Sequence, residues 1–392
     1  MKNEIAKISS LLLAIIFSTT GYFGSLTVTV LVASEVMSNQ LFVGLPMALA
    51  VGGSIIGTKI IGYLSQKFSM LQSLVGAYFI GGLGGVILFL SIIYDSIILL
   101  VFGALILGVG QSATFQTRYF ASFIVSSEFK TVALSFAVWV SAFGSIFGPN
   151  SVGLFSDFFA EIFNSELIVG YILAFTGMVS AGSILFFFTS KDSDLRMKNT
   201  VQTRKDVEQS DRGANSLSSI LVVNHVIMVL IMSATPLHLR DIGENISTLG
   251  NIISAHTLGM FFFAPFIGKF VDKVGIEIPA KIGSVIMLTS CLLTLTSSDV
   301  LYLGFGLFLL GLGWNFTFIA TSSAIASYSS KYSTDLNIRS DMYVFAGSAC
   351  TQLLLGFSYF NLGYKTIASV GVVVSLWLIL KTQKLNEITK SI

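Results

Sequence analysis

Long uninterrupted apolar runs, separated by short polar breaks, recur along the whole chain. Within the runs apolar and polar positions do not alternate, so helices are expected rather than barrel strands. A helix needs about 20 apolar residues to cross the hydrocarbon layer. Runs of that length predict spans at 8–32, 41–63, 71–93, 97–118, 131–153, 167–189, 218–238, 248–270, 279–298, 300–324, 341–362 and 364–381. The count is twelve. The slightest break is Tyr94-Asp95-Ser96, and the stretch around it is too long for one crossing but fits a tight pair. The first run follows Lys2 and Lys7 and lacks a small-residue cleavage site. It is also longer than the roughly 7–15-residue core of a signal peptide, so it reads as a retained span.

The charges test this count. With the N-terminus inside, every one of the 22 Lys and Arg residues except Arg240 and Lys365 falls on the cytoplasmic side. The outer loops hold Glu35, Asp95, Asp157, Glu161, Glu166, Asp241, Glu244 and Asp299. A wrong count would exchange the faces midway and scramble this bias, so the positive-inside rule supports both number and orientation. Both termini are then cytoplasmic, and the expected location is a prokaryotic inner (cytoplasmic) membrane.

Composition agrees. Of the 392 residues 54% are hydrophobic and 11% charged, against about 25% charged in soluble domains, and the mean hydropathy is +0.84. A cytosolic enzyme, a nucleic-acid binder and a disordered protein are excluded. The net charge of +2 is too small for a polyanionic partner. Cys291 and Cys350 lie in apolar runs and imply no disulfide framework. There is no phosphate-cradling Walker loop, no Cys/His metal cluster and no nucleophile elbow, so no cofactor, metal or catalytic residue is expected.

The one long polar stretch, 191–216, is mixed in charge and rich in Ser, Asn and Gln. It divides the chain into an N-terminal six-span bundle, 1–190, and a C-terminal one, 217–392. The halves carry an internal repeat. At an offset of 203, Phe102-Gly103, Gly108, Gly110 and Thr114-Phe115 fall on Phe305-Gly306, Gly311, Gly313 and Thr317-Phe318, and Gly144 falls on Gly347. At 206, Gly62 to Lys67 fall on Gly268 to Lys273.

With these features the chain resembles the major facilitator superfamily over essentially its whole length. Gly268-x3-Asp272-Lys273-x-Gly275 matches the family's inter-helix motif. In its first-half copy, which keeps Gly62 and Lys67, Gln66 replaces the acid and Ser69 the glycine. Gly144-x3-Gly148-Pro149-Asn150-x2-Gly153 resembles the family's glycine–proline motif, common in antiporters. The Arg expected early in the fourth span is missing, and Ala104 or Leu105 stands there. Pro236-Leu237-His238, His256-x-Leu258-Gly259-Met260 and Gly311-Leu312-Gly313-Trp314-Asn315-Phe316 look like a group of prokaryotic permeases of mostly unassigned substrate. The resemblance implies an all-α polytopic membrane fold of two six-helix bundles related by a pseudo-twofold axis, working as a monomer by alternating access.

Ionisable and polar residues inside spans are the candidates for transport, because burying them is costly. His256 lies about two turns into the eighth span and could pass a proton or hold substrate; the alternative is a structural hydrogen bond. Asp341, at the start of the eleventh span, could accept a proton or simply cap its helix. Arg118 could bind an anionic group or anchor the interface by snorkelling. Trp314 and Asn315 lie opposite Gln111 and Ser112 by the repeat, and could stack on and orient a planar ligand or merely pack. Tyr22 and Trp139 are weaker candidates of the same kind, and His225 and His238 are expected near span ends. Asp272 and Lys273 suit a gating contact, and Gly148-Pro149 a pliable helix.

The expected function is a secondary active transporter, proton-coupled, for a small planar or amphipathic solute, leaning to efflux by exchange. Uptake of a nutrient or vitamin-like compound is the alternative. A channel or sensor is a rival of another class, although a sensor would need a soluble output domain. An embedded enzyme would need clustered catalytic side chains.

Overall fold

The computed structural model describes residues 2–123, 130–189, 207–297, 299–332, 335–383 and 385. Among them there is no strand. The first half comprises α1 (Lys2–Val36), α2 (Leu45–Lys67), α3 (Met70–Ile93), α4 (Ile97–Phe123), α5 (Lys130–Phe163) and α6 (Ile168–Thr189). The second comprises α7 (Val207–Asp241), α8 (Ile246–Phe261), α9 (Ala264–Val274), α10 (Glu277–Thr296), α11 (Val300–Tyr332), α12 (Asp335–Phe357) and α13 (Tyr364–Thr382).

Among the described residues, ten stretches are long and apolar enough to cross a membrane, with α8 and α9 counting as one span, Ile246–Val274. The break between those two helices precedes Pro265, in the first turn of α9, where a missing N–H costs nothing. The long helices α5 and α12 occupy the fifth and eleventh places in the order. The doubtful cut after the third span is real: α3 ends at Ile93, Asp95 turns the chain with φ 47°, and α4 begins at Ile97.

Several boundaries differ from the sequence reading. The polar linker was expected to run to 216, but α7 already begins at Val207. A polar start to a helix is compatible with membrane insertion further along, since only the later turns need be apolar. Residues 191–206 of that linker lie outside the described residues. Helix α5 runs on to Phe163, so Asp157 and Glu161 are helical. Helix α12 starts at Asp335, which places Asp341 in its second turn rather than at the start.

The helices pack into two compact units. Unit 1 contains α1–α6 together with Leu239–Ser254. Unit 2 contains α7 as far as His238, and the chain from Ala255 onward. In unit 1, α1 packs on α5 and α6, α3 on α4 and α6, and α2 on α4. In unit 2, α10 packs on α11 and α13, and α9 on α11. The pairs α3–α4 and α3–α6 thus correspond to α10–α11 and α10–α13.

The repeat extends to individual contacts. A methyl group on Gly108 would land on the carbonyl oxygen of Ala50, and one on Gly311 would land on that of His256. Ala50 and His256 are 206 residues apart and Gly108 and Gly311 are 203 apart, the two offsets of the repeat. Each half therefore uses the same glycine to bring two helix backbones together, the device that membrane helices use where burial from water provides no drive.

The two copies of the inter-helix motif differ in backbone as well as sequence. Gly275 caps α9 at φ 81°, in the left-handed region that favours glycine. Its counterpart position in the first half is held by Ser69, extended at φ −84° and ψ 156°. Ser69 forms a capping box: its Oγ accepts from Gln72 N at 3.1 Å and its own N–H donates to Gln72 Oε1 at 3.2 Å. Loss of the glycine is explained by this change of cap.

Candidate functional site

In unit 2 the midspan polar residues gather around Trp314 of α11. The indole Nε1–H donates to His225 Nδ1 at 3.2 Å. Because indole is only a donor, His225 Nδ1 accepts, and the proton of the neutral ring is on Nε2. The Trp314 ring stacks on Phe318 at 4.5 Å and 17°, and meets Phe261 edge-on at 6.3 Å. Asn224, one residue before His225, donates from Nδ2 to the Trp314 carbonyl at 3.2 Å. The Asn224 side chain is fully buried, and its Oδ1 has no partner among the described residues.

His256 is also fully buried, and its Nδ1 bonds the Leu307 carbonyl at 2.8 Å. A carbonyl can only accept, so Nδ1 carries the proton and Nε2 presents a lone pair. That Nε2 has no partner among the described residues. With one nitrogen tied and the other open, the ring can accept a hydrogen bond from a donor group. Asn315 behaves differently: it donates from Nδ2 to the Gly259 carbonyl at 3.3 Å, holding α11 to α8. Gln352 of α12 donates from Nε2 to Ser233 Oγ at 2.8 Å, and its buried Oε1 has no partner among the described residues.

Unit 1 has a smaller set. Gln111 is buried with an unpartnered Oε1 among the described residues. Thr114 donates to Ser18 Oγ at 3.0 Å, and Tyr78 and Thr117 share a hydrogen bond of 3.0 Å. Tyr22 is buried, with its ring edge-on to Phe23. Trp139 is half-buried and meets Phe136 and Phe143 of its own helix edge-on. The side chains of Arg118 and Asp341 lie outside the described residues.

The glycine–proline segment is a packing seam. Methyl groups on Gly144 and Gly148 would strike Thr19 and the Thr20 carbonyl of α1. Further along, Asn150 donates from Nδ2 to Ser254 Oγ at 2.7 Å, and Ser254 Oγ donates to the Ile146 carbonyl at 3.1 Å. Gly250 approaches Pro149, and Gly153 approaches Ser247. The segment therefore joins α5 to α1 on one side and to the first turns of α8 on the other. Among the gating candidates, Asp272 and Lys273 are exposed, and open space surrounds Gly62 and Gly268.

Four residues were not among the candidates for transport or gating read from the sequence. His225, expected near a span end, is about ten residues into the span Asn215–Asp241. Asn224 stands at an offset of 206 from Ser18, so the repeat could have flagged it. Nothing in the sequence marks Gln352. Arg240 forms an ion pair with Glu166 and another with Glu35 at 3.4 Å, all within unit 1. These side chains are part-exposed, so Arg240→Gln should lower stability by about 1 kcal/mol at most. The loss should shrink as salt is raised, which thermal unfolding at two ionic strengths would check. An unchanged melting temperature at low salt would show that the cluster contributes nothing.

The sequence profile described as Major Facilitator Superfamily matches residues 11–334. The chain belongs to the Major Facilitator Superfamily. It is 28% identical over 385 residues to the uncharacterized MFS-type transporter YdeG of Bacillus subtilis, covering 93% of this chain and 88% of that one. It is 25% identical over 347 residues to the riboflavin transporter RfnT of Brucella anthropi, covering 86% and 85%. Among solved structures, an auto-inhibited POT family peptide transporter superposes with a TM-score of 0.71 at 9% identity, over 98% of this chain and 97% of that one. The human organic anion transporter MFSD10 gives 0.68 at 11%, over 97% and 99%. Identities this low establish the superfamily's fold and nothing about cargo. Membership makes the protein an integral membrane transporter of the secondary type, not an enzyme.

Proposed function

We propose that this transporter moves a small organic solute with a planar ring, by alternating access of its two six-helix bundles, coupled to protons. The observation that carries the reading is the cluster of Trp314, His225 and Asn224 at midspan in unit 2. A stacking ring, an imidazole edge and a buried amide oxygen without a partner supply both faces of planar recognition: aromatic overlap and in-plane hydrogen bonds. The likeness to a riboflavin transporter supports a cargo of this shape and offers a probe. The scarcity of fixed charge in the spans disfavours a multiply charged metabolite.

His256 is the proposed coupling residue, because its Nε2 is an imidazole nitrogen inside a span with no partner among the described residues. One charge moving down the membrane potential releases about 2.3 kcal/mol per 100 mV, enough to concentrate a solute. The antiporter-like motif at Gly144, Gly148 and Pro149 supports outward exchange. The bias of basic residues to one face supports cytoplasmic termini in an inner membrane, and the proposed working unit is the monomer.

The test is movement of labelled riboflavin in vesicles of purified protein under an imposed pH gradient of either sign. Gradient-dependent movement supports the reading and its sign gives direction; no movement in either orientation removes riboflavin as cargo. His256→Ala should reduce gradient-driven movement to the level without a gradient while leaving binding intact. Coupling that survives the substitution would take His256 out of the mechanism.

A further inference from the structure

Helix α2 carries Lys59, Tyr63 and Lys67 at four-residue spacing, all exposed. The Lys67 ammonium sits over the Tyr63 ring at 4.6 Å from its centre. Lys59 lies eight residues before the helix end, about 12 Å further into the layer by helical rise, inside the span Gln40–Lys67. Among the described residues neither lysine has an acidic partner. The motif copy here has lost its acid to Gln66, whereas the second-half copy keeps Asp272 beside Lys273. Both ammonium groups are exposed and open to an anion.

Beside this row is an apolar groove of 220 Å³ between α2 and α3, floored by Val109 of α4. Ile60, Leu64, Phe68 and Ile80 form its walls, and Gly76 opens it, since nothing lies within 4 Å of where a methyl would stand. On the helical wheel the basic row winds toward the groove as it approaches Lys67. A cationic end leading into an apolar trough matches one molecule of the bilayer in particular.

We propose that this groove holds an acyl chain of an anionic phospholipid, whose phosphate is met by Lys67, with Lys59 further along the same basic row. The charge of the row selects the headgroup and the groove selects the chain. In this reading the lipid replaces the acid that the first motif copy lacks.

The experiment is thermal unfolding of the purified full-length protein in detergent, titrated with phosphatidylglycerol or with phosphatidylcholine of the same chains. Phosphatidylglycerol should raise the melting temperature in a saturable way, and by clearly more than phosphatidylcholine. The double variant Lys59→Gln/Lys67→Gln should abolish the difference between the lipids, and Gly76→Leu, which fills the groove, should weaken the response to both. Equal shifts with the two lipids in the unmodified protein would overturn the proposal, and that comparison needs no variant to fold. A preference for phosphatidylglycerol that survives the double variant would overturn it as well. So would a phosphatidylglycerol-dependent shift in size to a dimer without lipid retained by the monomer in native mass spectrometry, which would make a second copy the occupant.

Discussion

Gly311→Val should leave little correctly folded protein. The side chain would be driven into the carbonyl of His256 and toward the backbone nitrogen of Met260. A backbone obstacle cannot rotate aside as a side chain can, so either α8 and α11 separate or the valine distorts its own helix. Overpacking costs about 1–3 kcal/mol and sometimes more, and here it also disturbs the bonds His256–Leu307 and Asn315–Gly259, which depend on the same close approach. Gly268→Ala is the control, because nothing lies within 4 Å of the added methyl. It should be neutral or stabilise slightly, since alanine is the better helix former by about 1 kcal/mol. Thermal unfolding of the two variants in detergent compares them; equal losses would show that the glycine crossing is not what holds these helices. Gly108→Val should fail in the same way, because its obstacle is the equivalent carbonyl of Ala50.

Trp314→Ala should destabilise the protein and end the planar-solute binding proposed above. The ring is buried against Phe318 and Phe261, and removing a buried Trp costs about 3–5 kcal/mol. Trp314→Phe separates the two effects. It keeps the aromatic packing and loses only the hydrogen bond to His225 Nδ1, for about 1 kcal/mol. If the indole fixes the His225 ring for ligand contact, the Phe variant should remain folded yet bind riboflavin more weakly than the unmodified protein. Full binding in a stable Trp314→Phe protein would mean that the bond to His225 is structural.

How much of this was readable beforehand depends on the range of the interaction. Span positions follow from local apolar runs, and even the break at Asp95 and the motif glycine Gly275 are signalled within a few residues. The helix break before Pro265 was equally local and could have been read. Arg240 illustrates the other case: its partners Glu35 and Glu166 are remote in sequence, and no local pattern couples them. Asn224, His225 and Gln352 are single polar residues in apolar helices. Their meaning depends on which neighbour each helix face meets, and a uniformly apolar helix gives no periodicity from which to read that face. Asn315 shows the reverse: its type and depth suggested ligand contact, while its amide is committed to tying two helices together.

The boundaries of the two units cut through α7 between His238 and Leu239 and through α8 between Ser254 and Ala255, not through loops. The segment Leu239–Ser254, packed with unit 1, is covalently continuous with unit 2 at both of its ends. In α7, Pro236 stands two residues before the cut and cannot supply the backbone hydrogen bond that would stiffen the helix there.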